Sequence, residues 1–347
     1  MSNWYLQNGK ESDVVISTRI RLARNLSGFP FENKCDKEAK KQILNKIEEV
    51  VPNIGYGLQL LKMKDMNELT KEELIEKHLI SPDFANKDDD SRAIIINNEE
   101  NICIMVNEED HIRIQVFSEG LEVENLLNLA IELDKKLEKL LNYSYSDKYG
   151  YLTACPTNVG TGLRVSTMVH VPALDKTENL GKILRIVNNF GMSVRGVYGE
   201  GSDSKGNIYQ ISNNQTLGLT EEEIAKDVLN ITQKVIEQER IARKYLGKTG
   251  LELENQLYRA FGLMMYSKMI TLDECMDLLS DVKLGTDMGI IKELDDGKIK
   301  KFGLTIDGGY YEMISSRPSF FEFFSRDYYT NGKNLNVDVN IKDAVFK

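Results

Sequence analysis

Six arginines, one acidic turn and one cysteine are the groups in this 347-residue chain whose types and spacing could do chemistry. Arg19 and Arg21 lie two apart in the run Val14–Arg21, so they share one face of an extended strand. Arg24 follows them, Arg113 alternates with Ile112 and Ile114, and Arg195 opens Arg195-Gly196-Val197-Tyr198. Arg164 closes the glycine-bearing stretch Asn158-Val159-Gly160-Thr161-Gly162-Leu163. Taken singly, each is an ordinary solvated arginine. Taken together, Arg19, Arg21, Arg113 and Arg164 describe a convergent anion site. Guanidinium forks match phosphate oxygens, and a triphosphate needs several of them. Glycines at 160 and 162 let the backbone approach a ligand. The chain has neither a Walker A lysine motif nor a His-Arg-Asp catalytic loop, so nucleotide binding would use neither device. Read alone, Glu108-Glu109-Asp110 is a hydrated loop, and Cys155 before Pro156 is a small buried side chain.

The elements that must position these groups alternate at first. Val14–Arg21 is a strand, and Asp36–Val51 carries Ile43, Leu44, Ile47 and Val50 at helical spacing. Thr70-x-x-Glu73 reads as a capping box opening a short helix. Ala93–Asn97 and Ile102–Val106 read as a hairpin, with a third strand at Ile112–Phe117. Leu121–Leu141 is a long amphipathic helix. Further strands are predicted at Tyr149–Thr153, Arg164–Val171, Val194–Tyr198 and Ile208–Ser212, with a helix at Leu180–Phe190. From Thr220-x-x-Glu223 the pattern is helical, and Thr271-x-x-Glu274 caps another helix. Short connections favour antiparallel pairing. The fold class is α+β: a mainly antiparallel sheet flanked by helices, then an α-helical C-terminal domain. Gly247–Gly250 divides 1–247 from 248–347.

Composition narrows the partners. With 54 Asp+Glu against 44 Lys+Arg the net charge is −10, unlike a general nucleic-acid binder. The four cysteines, Cys35, Cys103, Cys155 and Cys275, form no CxxC pair or Cys/His cluster, so neither structural zinc nor a disulfide scaffold is expected. No apolar run reaches a membrane span and the N-terminus lacks a signal-peptide core, so a cytoplasmic location is expected.

Four stretches occur in order: Val15–Arg24, Asn107-Glu-Glu-Asp-His-Ile-Arg113, Cys155-Pro-Thr-Asn-Val-Gly-Thr-Gly-Leu-Arg164 and Arg195-Gly-Val-Tyr-Gly-Glu-Gly201. On these motifs the chain resembles the guanidino kinases, the ATP:guanido phosphotransferase family of creatine and arginine kinases, over Asp13 to Leu246. Within the family it is most similar to the bacterial protein-arginine kinases. Small-molecule members carry a helical domain before the first arginine motif, whereas here that motif starts about a dozen residues from Met1. The resemblance therefore implies transfer of the ATP γ-phosphoryl group to arginines of proteins. It implies Glu109 as the base, Cys155 as the reactive thiol flanked by Thr157 and Asn158, and Glu200 as a second carboxylate on the guanidinium. Arg19, Arg21, Arg113, Arg164 and Arg195 match the family's ATP-phosphate arginines, with Mg2+ sharing the charge. His170 matches a residue near the adenine-side strand and equally suits a core. The implied partners are arginine-bearing protein substrates, a zinc-binding activator (McsA), a transcriptional repressor, Clp-type protease machinery in a stress response, and a second copy in a homodimer. One departure stands in the tail. The Arg-Asp-x-x-Arg-Ala element that binds phosphoarginine in relatives is replaced by Val337-Asp338-Val339-Asn340-Ile341-Lys342-Asp343-Ala344.

Overall fold

The computed structural model describes residues 4, 9–86, 89–196, 204–248, 250–267 and 272–292. Glu200, Thr271 and the tail, with Val337–Ala344, lie outside these residues. In chain order the first elements are β1 (Val15–Arg24), α1 (Lys37–Ile54), β2 (Gln59–Lys62), α2 (Glu68–Glu76), α3 (Pro82–Asn86), β3 (Ala93–Ile96), β4 (Ile102–Val106), β5 (Ile112–Glu119) and α4 (Val123–Leu140). There follow β6 (Tyr145–Ser146), β7 (Gly150–Tyr151), β8 (Leu163–His170), α5 (Pro172–Lys176), α6 (Leu180–Asn189), β9 (Met192–Gly196), β10 (Ile208–Asn213), α7 (Glu221–Leu246), α8 (Leu251–Tyr266) and α9 (Leu272–Asp287). One sheet runs β2-β3-β4-β5-β1-β8-β10-β9, and β2 to β5 with β1 pair antiparallel.

Local chemistry explains the helix starts. Asp36 caps α1 by accepting from the Ala39 amide at 2.8 Å. Thr220 and Glu223 cap α7 reciprocally, at 2.8 and 3.2 Å. At α2 the cap differs from the predicted one: Asn67 accepts from the Thr70 amide, so the helix starts three residues before the Thr-x-x-Glu pattern suggested. Asn67 wins because its side-chain oxygen reaches that amide and leaves Thr70 inside the first turn. The strand predicted at Tyr149–Thr153 shortens to Gly150–Tyr151, after which the chain turns towards Cys155.

The chain divides into two compact units, described separately. The first holds Met1–Met168, Val187–Ser193 and Ile211–Thr232. In it α4 packs on β1 and β5 over one sheet face, where Ile20, Leu22, Ile112, Ile114 and Val116 are buried. Over the opposite face Leu74, Leu79, Ile80 and Phe84, from α2, α3 and their connection, close on Cys103, Met105 and Phe117. The second unit holds Val169–Ile186, Val194–Gln210 and the chain from Gln233. A buried polar chain ties it together. Glu239 of α7 accepts from the Ala173 and Leu174 amides at 3.1 and 2.9 Å and from Arg243 at 2.8 Å. Arg243 and Lys283 both pair with Asp287 of α9. Ser280 of α9 meets His170 Nε2 at 2.8 Å and accepts from Asn207 at 3.1 Å, while the Gly206 amide donates to Asp277.

Candidate active site

Strand alternation sets the arginines on their faces. In the β1–β5 pair Arg19 stands opposite Phe117, Arg21 opposite Gln115 and Ala23 opposite Arg113. Opposed residues share a face, so Arg19, Arg21 and Arg113 stand on one side of the sheet. Arg164 of β8 donates to Ser212 Oγ at 2.9 Å, and its charge acts on both Arg19 and Arg21. Burial, then repulsion from Arg164 and Arg113, brings the Arg19 pKa down to about 10. Burial and the same neighbours, led by Arg19, hold Arg21 well below the ordinary arginine value, with Glu108 pulling the other way. Clustered, desolvated cations of this kind are suited to a polyanion that neutralises them together.

Arg24 is different. Its even position turns it to the face of Ile20 and Leu22, where it is 1% exposed. Its Nη2 meets Asp134 of α4 at 2.6 Å, Nη1 donates to the Ala23 and Thr161 carbonyls, and the guanidinium stacks 3.5 Å from the Tyr151 ring centre. It therefore fastens the glycine turn that precedes Arg164. Gly162 (φ +63) passes so close that a Cβ there would lie 2.6 Å from Arg24 Nη1 and 2.7 Å from the Ala23 carbonyl.

The acidic turn links β4 to β5, which brings it beside Arg113. Arg113 meets Glu108 at 2.9 Å and Glu109 at 2.7 Å. Glu108 also accepts from Ser81 Oγ, whereas the Glu109 side chain is 44% exposed and within reach of an incoming substrate. Asp110 is fully buried and His111 is locked: its Nδ1 accepts from the Leu26 amide, so Nε2 carries the proton and donates to the Pro30 carbonyl at 2.8 Å. Cys155 is half-buried on the next turn, with Sγ 3.0 Å from Thr157 Oγ1. Thus Arg19, Arg21, Arg113, Arg164 and the Glu108–Glu109 pair come together within the first unit, and the Asp110 carboxylate joins the acidic turn to the amide preceding Cys155. Among the described residues no group of three or more His, Cys, Asp or Glu side chains could hold a metal ion.

Two predicted residues lie in the second unit. Arg195 is exposed on β9. His170 is 2% exposed, bonded to Ser280, and held well below the ordinary imidazole value by burial and by Lys283, Arg243 and Lys176. These surroundings are those of a core residue. Sequence reasoning missed His78, which burial and the charge of Arg19 bring down to about 4. The segment after it crosses the arginine face, with the Leu79 carbonyl accepting from Gln115 at 2.7 Å. The one signal was rarity, since the chain has three histidines.

The chain is similar to known proteins in sequence and in fold. Residues 39–242 match the family described as ATP:guanido phosphotransferase, C-terminal catalytic domain. The chain belongs to the ATP:guanido phosphotransferase family. Residues 250–320 match the protein-arginine kinase McsB C-terminal domain. A protein-arginine kinase of Halothermothrix orenii is 44% identical over 319 residues, covering 91% of each chain. One from Geobacillus sp. (strain WCH70) is 43% identical over 91% of this chain and 88% of its own. Among solved ATP:guanido phosphotransferases, the substrate-free duplicated taurocyamine kinase of Schistosoma mansoni is 28% identical with a TM-score of 0.60, over 71% of this chain and 37% of that one. A lombricine kinase is 25% identical with a TM-score of 0.59, over 69% of each. The antiparallel sheet flanked by helices and followed by C-terminal helices is the architecture expected from the sequence.

Proposed function

We propose that this chain is an ATP-dependent protein-arginine kinase, with 1–247 as its catalytic part and 248–347 as its helical C-terminal part. The observation that carries the reading is the 44% identity to a protein-arginine kinase over nine-tenths of both chains. The site chemistry agrees with it. A guanidinium is a poor nucleophile while protonated. The Glu109 carboxylate takes one N–H proton, the freed lone pair attacks the γ-phosphorus, and the bond to the β-phosphate oxygen breaks as ADP leaves. Arg19, Arg21, Arg113 and Arg164 hold the phosphates, and Arg113 joins that face to Glu108 and Glu109. Arg195 adds to the phosphate set, Glu200 is a second carboxylate for the guanidinium, and Cys155 stands beside the reacting nitrogen. Mg2+ arrives on the nucleotide's phosphate oxygens as part of the substrate. His170 keeps its core role. A cytoplasmic homodimer working with McsA and Clp-type machinery is the cellular setting that follows; no helix among the described residues is long and apolar enough to cross a membrane.

The test is incubation with Mg-ATP and an arginine-bearing protein such as casein or a histone, read by mass spectrometry for one phosphoryl group on arginine. Modified arginine in the protein supports the reading. Product formed with free arginine alone would make the chain a small-molecule guanidino kinase, and no product would make it an inactive relative.

A further inference from the structure

The groups assigned to proton transfer and to the thiol sit on two irregular turns, and one buried pair of side chains joins both to β1. Asp110, next to Glu109, accepts through Oδ1 from the Ala154 amide at 2.7 Å, and Ala154 precedes Cys155. The same Oδ1 accepts from Asn25 Nδ2 at 2.7 Å. Asn25 Nδ2 also donates to the Leu152 carbonyl at 3.0 Å, and its Oδ1 accepts from the His111 amide at 3.0 Å. Asn25 is 2% exposed and Asp110 is wholly buried, so neither side chain stands where a substrate could touch it.

We infer that Asn25 and Asp110 are positioning residues, a two-membered clamp that fixes the Glu109 turn against the Cys155 turn. Three lengths of chain distant in sequence close on one amide and one carboxylate. Glu109 and Cys155 each lie one residue from the shared contact, a Cα step of about 3.8 Å. Asn25 directly follows Arg24, so the clamp is anchored at the end of the strand that carries Arg19 and Arg21. Turns have no ladder of their own to hold them, and misplacement by about 1 Å at a reacting centre can lower turnover about 100-fold. The inference rests on the kinase reading for its kinetic arm only.

The geometry distinguishes a clamp from a charge. The Asn25 and Ala154 bonds of Asp110 both go to Oδ1, while Oδ2 is buried without a hydrogen-bond partner among the described residues. Asp110→Asn preserves the oxygen that accepts both bonds and removes the charge. Asp110→Ala removes both bonds, and Asn25→Ser keeps a polar group too short to span the two turns. Asp110→Asn is expected within about tenfold of wild-type kcat, while Asp110→Ala and Asn25→Ser fall about 100-fold with KM for ATP changed less than about threefold. The second readout needs no turnover: the rate at which iodoacetamide alkylates Cys155, mapped by peptide mass spectrometry against Cys35 in the same molecule. That ratio should move in Asp110→Ala and Asn25→Ser and stay put in Asp110→Asn. An Asp110→Asn enzyme as dead as Asp110→Ala would assign Asp110 a role through charge and overturn the clamp. Unchanged turnover and alkylation in Asn25→Ser would overturn it as well. If the wild type phosphorylates no arginine, the kinase reading fails and the alkylation ratio still decides the clamp.

Discussion

Replacing Arg19 by methionine should make the nucleotide-free protein more stable and abolish its response to ATP. In the guanidinium cluster, burial and the charges of Arg164 and Arg113 bring Arg19 to about 10. Each tenfold change in proton affinity is about 1.4 kcal/mol, so the fall from the ordinary arginine value corresponds to roughly 3 kcal/mol held against the charged form. A cation whose folded pKa is depressed destabilises the fold at every pH below that pKa, and relief begins only as the pH rises towards 10. Across pH 6–9 the destabilisation is constant. Methionine keeps much of the arginine stem's volume and deletes the charge; loss of the guanidinium's own contacts offsets part of the gain, leaving about 1–2 kcal/mol. At about 2–4 °C per kcal/mol for a unit of this size, Tm rises by a few degrees. Wild-type protein with ATP at about 100 times Kd gains about 3 kcal/mol by mass action. Scanning calorimetry of both proteins, with and without a non-hydrolysable ATP analogue, measures all four states. A nucleotide-free Arg19→Met that melts several degrees below wild type, or one that keeps the full ATP shift, would refute the reasoning.

Three further outcomes are expected. Glu109→Gln should bind ATP normally yet lose at least about 100-fold in turnover, and near-wild-type turnover by phosphoarginine detection would remove Glu109 as the base. Asp134→Ala should destabilise by about 3–5 kcal/mol in urea titration, because it leaves the buried Arg24 uncompensated; a loss under about 1 kcal/mol would contradict the buried pair. His170 is held well below the ordinary imidazole value, so the unfolded chain gains a proton that the fold refuses as pH falls through about 6.5. Wild-type protein should therefore lose more stability than His170→Gln between pH 7.5 and 5.5, and equal losses would refute this.

Much of the site was legible because strand period is short and unambiguous. Two-residue spacing placed Arg19 with Arg21, and the same parity, applied one step further, separates Arg24 from them. What spacing could not supply was the opposing surface. Asp134 lies 110 positions from Arg24, and although its phase with Leu127, Ala130 and Leu137 sets it on the buried stripe of α4, that phase does not name its partner. Arg113 reads as a phosphate ligand, yet its partners across the turn are Glu108 and Glu109. Capping was legible at Thr220-x-x-Glu223, where the box itself opens the helix, and not at α2, where Asn67 stood three residues ahead of a competing Thr-x-x-Glu. His170 suited two roles because one dimension shows the strand and not the Ser280 hydroxyl beyond it.

The polar chain of the second unit bears on how such enzymes can be recombined. Residues on both sides of Gly247 build it: Glu239 and Arg243 before, Asp277, Ser280, Lys283 and Asp287 after. Cutting the gene at that glycine would strip His170, Asn207 and the Gly206 amide of their partners and leave buried polar groups facing water or nothing. The C-terminal helices are thus not a cassette that ancestry or engineering can exchange freely. A donor helix pair must bring a hydroxyl in place of Ser280 and acids in place of Asp277 and Asp287, or the recipient must change around Gly206 and Arg243 at the same time. Chimaeras between branches of the family should track this set of contacts more closely than overall identity.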